Sequence, residues 1–155
     1  KCNNNNISIL PENLPSNLKI LRCSHNYLKS LPHNLPNLEE LNCSSNQLSY
    51  LPNNLPSTLQ QLSCSSNKLK LLPNNLPSSL YEIFCDNNQL ISLPNTLPSS
   101  LQFLYCSTNK ITALPCCLLS LKNLKCIIYG DNKIDNSSPN LNNLYNMLSN
   151  IKNNL

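Results

Sequence analysis

Leu18-Lys19-Ile20-Leu21-Arg22-Cys23-Ser24-His25-Asn26-Tyr27-Leu28 is the stretch from which the rest of the chain is read. Segments of nearly the same form begin at Leu38, Leu59, Leu80 and Leu101, each reading L-x-x-[LI]-x-C-x-x-N-x-[LI]. Successive first leucines are 20, 21, 21 and 21 residues apart, so the register carries almost no insertions. A divergent copy starts at Leu124 after a step of 23; it keeps Ile127, Asn132 and Ile134 but has Tyr129 in place of the Cys. A partial copy precedes the series, with Cys2, Asn5, Ile7 and Leu10 standing where Cys23, Asn26, Leu28 and Leu31 stand one repeat later. Self-similarity at this period is the signature of a solenoid. The repeats are expected to form one array over residues 1–136, a partial first repeat followed by about six more.

The alternation Leu21-x-Cys23 has the period of two of a strand with one buried face. A single 21-residue unit cannot bury its own leucines, so the units must stack and their strands must form a parallel sheet. At ~4.8 Å between strands, six repeats give a sheet roughly 25 Å across. Asn26, Asn46, Asn67, Asn88, Asn109 and Asn132 form a column just after the strand, where backbone groups lose their sheet partners and a buried amide can replace them. The return path carries Leu31-Pro32-x-x-Leu35-Pro36 and its copies at Leu51, Leu72 and Leu93. Paired prolines four residues apart leave no room for a helix and favour an extended, polyproline-like convex side. The interval after Leu114-Pro115 lacks the second Pro, so the longer step has room for a turn of helix.

These residues resemble the leucine-rich repeat proteins, specifically the short-repeat class of secreted effectors of enteric and plague bacteria, whose repeats carry L-P-x-x-L-P-x-x-L before the strand. The segment Asn53-Asn54-Leu55-Pro56-Ser57-Thr58-Leu59-Gln60-Gln61-Leu62 is similar to that pattern, and repeats of this kind also occur in amoebae and their giant viruses. The resemblance covers nearly the whole chain to about Asp135 and is specific for fold rather than function. It implies an α/β repeat solenoid: a short leucine-rich repeat array with a parallel concave β-sheet and an extended convex side. Two departures stand out. The effectors commonly have a branched aliphatic where this chain has Cys, and a helical hairpin precedes their repeats. Some effectors also carry a ubiquitin-ligase domain after the array; the 19 residues after Asn136 are too few to hold one.

Cys2 and the structural column Cys23, Cys43, Cys64, Cys85 and Cys106 take the second inward position, where Cys acts as a small hydrophobe. Neighbours ~4.8 Å apart fall within the Cα range of a disulfide, but side chains pointing the same way into the core favour free thiols and a reducing compartment. The expected location is cytoplasmic, the host-cell cytoplasm if the chain comes from a parasite or virus. The close metal-ligating pairs are Cys116-Cys117 and Cys23 with His25, and the latter share a face only if the strand persists. No metal, cofactor or catalytic constellation is expected, with His33 in the return path and seven carboxylates forming no obvious pair.

After Ile134 the pattern changes. Ser138 can cap a helix, Pro139 suits its first position, and Leu141, Leu144, Leu148, Ile151 and Leu155 recur at helical spacing. An amphipathic capping helix is expected over residues 137–155, covering the last strand. By the same logic, the lack of an N-terminal cap suggests that the native protein begins earlier.

Function should then sit on side chains that alternate with the core on the concave face. One column reads Arg22, Asn42, Ser63, Phe84, Tyr105, Ile128, and its neighbour Ile20, Glu40, Gln61, Glu82, Phe103, Cys126. The surface passes from charged and polar to aromatic over the last three repeats. An exposed aromatic cluster marks a partner site, with Glu82 and Asp86 beside it to orient a basic partner. The expected partner-binding residues are Arg22, Glu40, Asn42, Gln61, Glu82, Phe84, Asp86, Phe103, Tyr105 and Ile128, the partner being an unidentified protein, a host protein if the chain is an effector. The column Tyr27, Gln47, Lys68, Gln89, Lys110, Lys133 reads as a solvated rim, and a formal charge of +4 without basic blocks points to neither nucleic acid nor membrane. Two other readings stand beside the binding module: the substrate-recognition part of a ubiquitin-ligase-type enzyme or effector whose catalytic part lies outside this chain, and a surface-coating repeat that binds no host protein. Sequons at Asn6, Asn42 and Asn136 would favour secretion if used.

Overall fold

The computed structural model describes residues 1–135 and, beyond them, Asn143. Each repeat contributes one three-residue strand: Ile20–Arg22 (β1), Glu40–Asn42 (β2), Gln61–Ser63 (β3), Glu82–Phe84 (β4), Phe103–Tyr105 (β5) and Cys126–Ile128 (β6). They form one parallel sheet in sequence order, without register slip. The central residues Leu21, Leu41, Leu62, Ile83, Leu104 and Ile127 are buried, and their neighbours point the other way. The partial first repeat continues the ladder: the Cys2 N–H donates to the Arg22 carbonyl at 2.8 Å and that of Asn4 to the Ser24 carbonyl at 3.0 Å.

The core is a stack of like on like. Leu38, Leu59, Leu80, Leu101 and Leu124 form one fully buried column and Leu28, Leu48, Leu69, Leu90 and Ile111 another. Truncating one such leucine to alanine costs about 2–5 kcal/mol in a packed core. Cys23, Cys43, Cys64, Cys85 and Cys106 have no exposed surface. All nine cysteines are free thiols. Most of the column donates weakly to the next strand, as from Cys23 Sγ to the Asn42 carbonyl at 3.5 Å and from Cys85 Sγ to that of Tyr105 at 3.2 Å. Burial pushes the Cys23, Cys64 and Cys106 thiols up to about 12, and holds Cys43 and Cys85 well above their ordinary value.

After the strand the chain turns sharply through one left-handed residue per repeat: Asn4, His25, Ser45, Ser66, Asn87, Thr108 and Asp131, with φ between 53° and 57°. The Asn that follows holds this turn. Asn46 donates through Nδ2 to the carbonyls of Cys43 and Ser44 in its own turn, each at 3.1 Å, and of Cys23 in the previous repeat at 3.0 Å. Its Oδ1 accepts the Leu28 N–H at 2.9 Å. Asn26, Asn67, Asn88, Asn109 and Asn132 repeat the arrangement, so the amide column expected from sequence is a continuous ladder that satisfies backbone groups of two repeats at once.

The convex side is extended, with Pro52, Pro73 and Pro94 buried under it. Re-entry to the strand uses a tight turn in which the Leu59 N–H donates to the Pro56 carbonyl, copied at Leu80 and Leu101. Inside that turn Thr58 Oγ1 donates to the Leu38 carbonyl at 2.8 Å, and Ser79 and Ser100 reach Leu59 and Leu80 in the same way. The 20-residue step is explained here. Its turn is one residue shorter, the Leu38 N–H reaching the Pro36 carbonyl, and Asn37, the residue before that leucine, carries no hydroxyl. The 23-residue step holds a 3-10 helix, Cys116–Ser120, with Leu118 buried. The expected capping helix over residues 137–155 lies outside the described residues.

Candidate partner-binding face

Residues flanking each buried strand centre line the open face of the sheet, in two rows fixed by the register. One row runs Arg22, Asn42, Ser63, Phe84, Tyr105, Ile128, and the other Ile20, Glu40, Gln61, Glu82, Phe103, Cys126. The face is thus assembled by backbone pairing and not by loops, which fixes where each side chain starts.

At the N-terminal end Arg22 grips Glu40 as a fork, Nε to Oε1 at 2.5 Å and Nη2 to Oε2 at 2.8 Å. That bond lowers the Glu40 pKa and raises that of Arg22. Lys19 and Glu39 pair alongside at 3.2 Å. Asn42 turns its Oδ1 to the Ser44 N–H at 3.2 Å. Much of the polarity at this end is therefore used within the protein. Gln61 stands at the middle, its Nε2 donating to the Tyr81 hydroxyl at 2.7 Å and to Glu82 Oε2 at 3.1 Å.

The C-terminal end brings the rings together. Phe84 and Tyr105 stack with centroids 4.5 Å apart and planes 9° from parallel. Such a pair contributes about 0.5–1.5 kcal/mol beyond its area and arrives at a partner already ordered. Lys125 Nζ sits 5.9 Å from the Phe103 centroid, and Ile128 is 47% exposed. Asp86 accepts the Ser107 N–H on Oδ1 at 2.9 Å and lies 3.4 Å from Ser65 Oγ on Oδ2. The Tyr105 hydroxyl is pushed up first by desolvation, then by Cys126, Glu82 and Asp86. Tyr81 and Lys125 belong to this end and were missed from sequence; both stand one residue before the strand, a column whose occupants, Lys19, Glu39, Gln60, Tyr81, Gln102 and Lys125, show no pattern of their own. Arg22 on β1 and Glu40 on β2 are separated from the Phe84–Tyr105 pair on β4 and β5 by β3, so the ten expected residues form two groups joined by Gln61.

Cys23 and His25 do not share a face. The strand ends at Arg22, Cys23 is buried, and His25 is exposed on the left-handed turn.

The fold is shared with solved structures. The leucine-rich repeat domain of a Shigella effector is 33% identical, with 88% of this chain and 70% of that one aligned at a TM-score of 0.73. The chain is a leucine-rich repeat protein. The family described as Leucine Rich repeats (2 copies) matches residues 16–57. YopM from Yersinia enterocolitica is 34% identical over 84% of this chain, with a TM-score of 0.73. The leucine-rich effector YopM from Yersinia pestis is 31% identical over 93%, with a TM-score of 0.63. This leucine-rich repeat chain spans 28% and 46% of those two proteins. No match is found among curated protein sequences. The leucine-rich repeat fold and its effector neighbours fit a protein-interaction module, since stacked repeats build an extended concave surface.

Proposed function

We propose that the chain binds a protein partner on its concave sheet face, centred on Phe84, Tyr105, Phe103 and Ile128. The observation that carries the reading is the Phe84–Tyr105 stack, held on the side of the sheet away from the core. Neither ring belongs to the buried core, so the pair does little for folding that smaller side chains could not do. Aromatic side chains supply a large share of the energy of interface hot spots, and a ring already fixed by its neighbour loses little entropy on binding. Glu82 and Asp86 add a negative margin that favours a basic partner.

Affinity capture from host-cell lysate with the intact chain, beside a Phe84→Ala, Tyr105→Ala variant of unchanged circular dichroism, tests this. Loss of the captured protein in the variant is expected. A partner held equally well by both would move recognition to another face.

A second reading draws support from the Shigella match, which is itself a domain of an effector. The array would then select substrates for a catalytic part elsewhere in a longer protein, or for a recruited subunit, and the full-length gene sequence separates this from a stand-alone binder. For either role we place the chain in a reducing cytoplasm, that of the host if the chain is an effector, because nine free thiols suit that compartment.

A further inference from the structure

Glu40 and Glu82 occupy the same column two repeats apart, and the difference between their surroundings suggests what the face recognises. Glu40 is forked by Arg22, which stands in the other row on the preceding strand. The residue in that relation to Glu82 is Ser63, whose side chain ends at its hydroxyl and is too short to reach as the Arg22 guanidinium does. The ion pairs on this face among the described residues are Lys19–Glu39 and Arg22–Glu40, and neither Glu82 nor Asp86 takes part in one.

Two more features close the same space. Tyr105, on β5, covers one face of the Phe84 ring. The opposite face is therefore turned toward β3 and Ser63, the strand on the other side. Asp86 stands two residues beyond Phe84, and its charge exceeds its structural task. Asn3, at the same position in the first repeat, accepts the Ser24 N–H at 3.1 Å just as Asp86 accepts that of Ser107, so a neutral amide suffices for that bond. A carboxylate on each flank, a π-face for a wall and a serine for a floor match a planar cation that carries several donors.

Resting on the concave-face reading, we propose that the space above Ser63, between Glu82, Asp86 and the open face of Phe84, receives an arginine side chain of the protein partner. The guanidinium stacks on Phe84 and bonds Glu82 as Arg22 bonds Glu40, with Asp86 closing the far side. Gln61, which already donates to Glu82, holds that carboxylate in place.

The test uses acetyl-Gly-Arg-Gly-amide as probe, with the citrulline peptide as its neutral isostere, and follows the Phe84 and Tyr105 ring signals by NMR. Saturable shifts are expected with the arginine peptide, with affinity at least tenfold weaker for citrulline and for the Glu82→Gln, Asp86→Asn variant. Ser63→Arg should fold, place its own guanidinium against Glu82 and abolish the peptide shifts. Equal binding of the citrulline peptide, no saturable shift with the arginine peptide, or undiminished binding to Ser63→Arg overturns the assignment. If those results come while Phe84→Ala, Tyr105→Ala still loses the captured partner, the arginine assignment falls alone. Capture indifferent to the aromatic pair removes the concave-face reading and this one with it.

Discussion

The side-chain amide of Asn67 lies 3.0 Å from the backbone carbonyl of Cys43, one repeat upstream, and its oxygen holds the Leu48 N–H of that repeat at 2.9 Å. Two further bonds, to Cys64 and Ser65, close its own turn. Asn67→Ala leaves the buried Leu48 N–H without a partner, at about 1–3 kcal/mol where water cannot reach, while the carbonyls of Cys43, Cys64 and Ser65 keep Asn46, Asn88 and the Ser45 N–H. A loss of about 1–3 kcal/mol is expected in urea unfolding, with faster hydrogen exchange at Leu48. Asn67→Asp keeps the acceptor but sets a carboxylate against three carbonyls, and should cost at least as much. An unchanged unfolding midpoint in Asn67→Ala would show that the ladder does not hold the repeats together.

Thr108 adopts a left-handed backbone with φ 53° despite its branched side chain, which is exposed. The conformation costs an L-residue about 1–2 kcal/mol, and glycine gives back part of that through its greater freedom when unfolded. Thr108→Gly keeps the N–H that bonds the Gly130 carbonyl. It should stabilise the array by about 0.5–1 kcal/mol, seen as a higher melting temperature. Destabilisation would mean that the Thr side chain contributes a contact outweighing the strain.

Thiol accessibility separates the cysteines sharply. Cys116 is exposed, Cys2, Cys117 and Cys126 are half-buried, and the five column thiols are buried. With a thiol reagent in large excess under native conditions, Cys116 should label first, and Cys23, Cys43, Cys64, Cys85 and Cys106 only at the rate of global unfolding. Mass spectrometry of the labelled peptides reads this directly; fast labelling of Cys64 would contradict the packed core.

The same column predicts alkaline unfolding. A thiol whose folded-state pKa stands above its unfolded value, near 9, stabilises the fold fully below that value. The contribution is lost as pH rises toward the folded value of about 12. Each thiol ionised only in the unfolded chain removes about 1.4 kcal/mol per pH unit, so stability should fall steeply above pH 9. Cys64→Ala, though less stable at neutral pH, should show a shallower decline by one thiol's share. Identical slopes would sink the assignment to the column.

The repeat period, the inward leucines, the thiol column and the amide ladder were all legible in the sequence because each recurs at one offset with one residue type. Other features were hidden by variety. The left-handed position is filled by Asn, His, Ser, Thr and Asp and never by glycine, so no residue type announces it. The hydroxyl bonds of Thr58, Ser79 and Ser100 were lost in a chain full of serine. On the candidate face, columns were predictable from the period of two, but pairings were not. That Arg22 would grip Glu40 and Phe84 would stack on Tyr105 depends on rotamers across strands, which periodicity does not encode.

Each ladder asparagine bonds its own repeat and the one before it, and nothing beyond. The asparagine ladder therefore makes the same joint between successive repeats. An in-frame duplication or deletion of residues 59–79 would leave each surviving bond with a partner of the same kind, so replication slippage in the gene can lengthen or shorten the array without redesigning it. Selection can then vary the reach of the concave surface by counting units, while the columns exposed on that surface diverge one residue at a time.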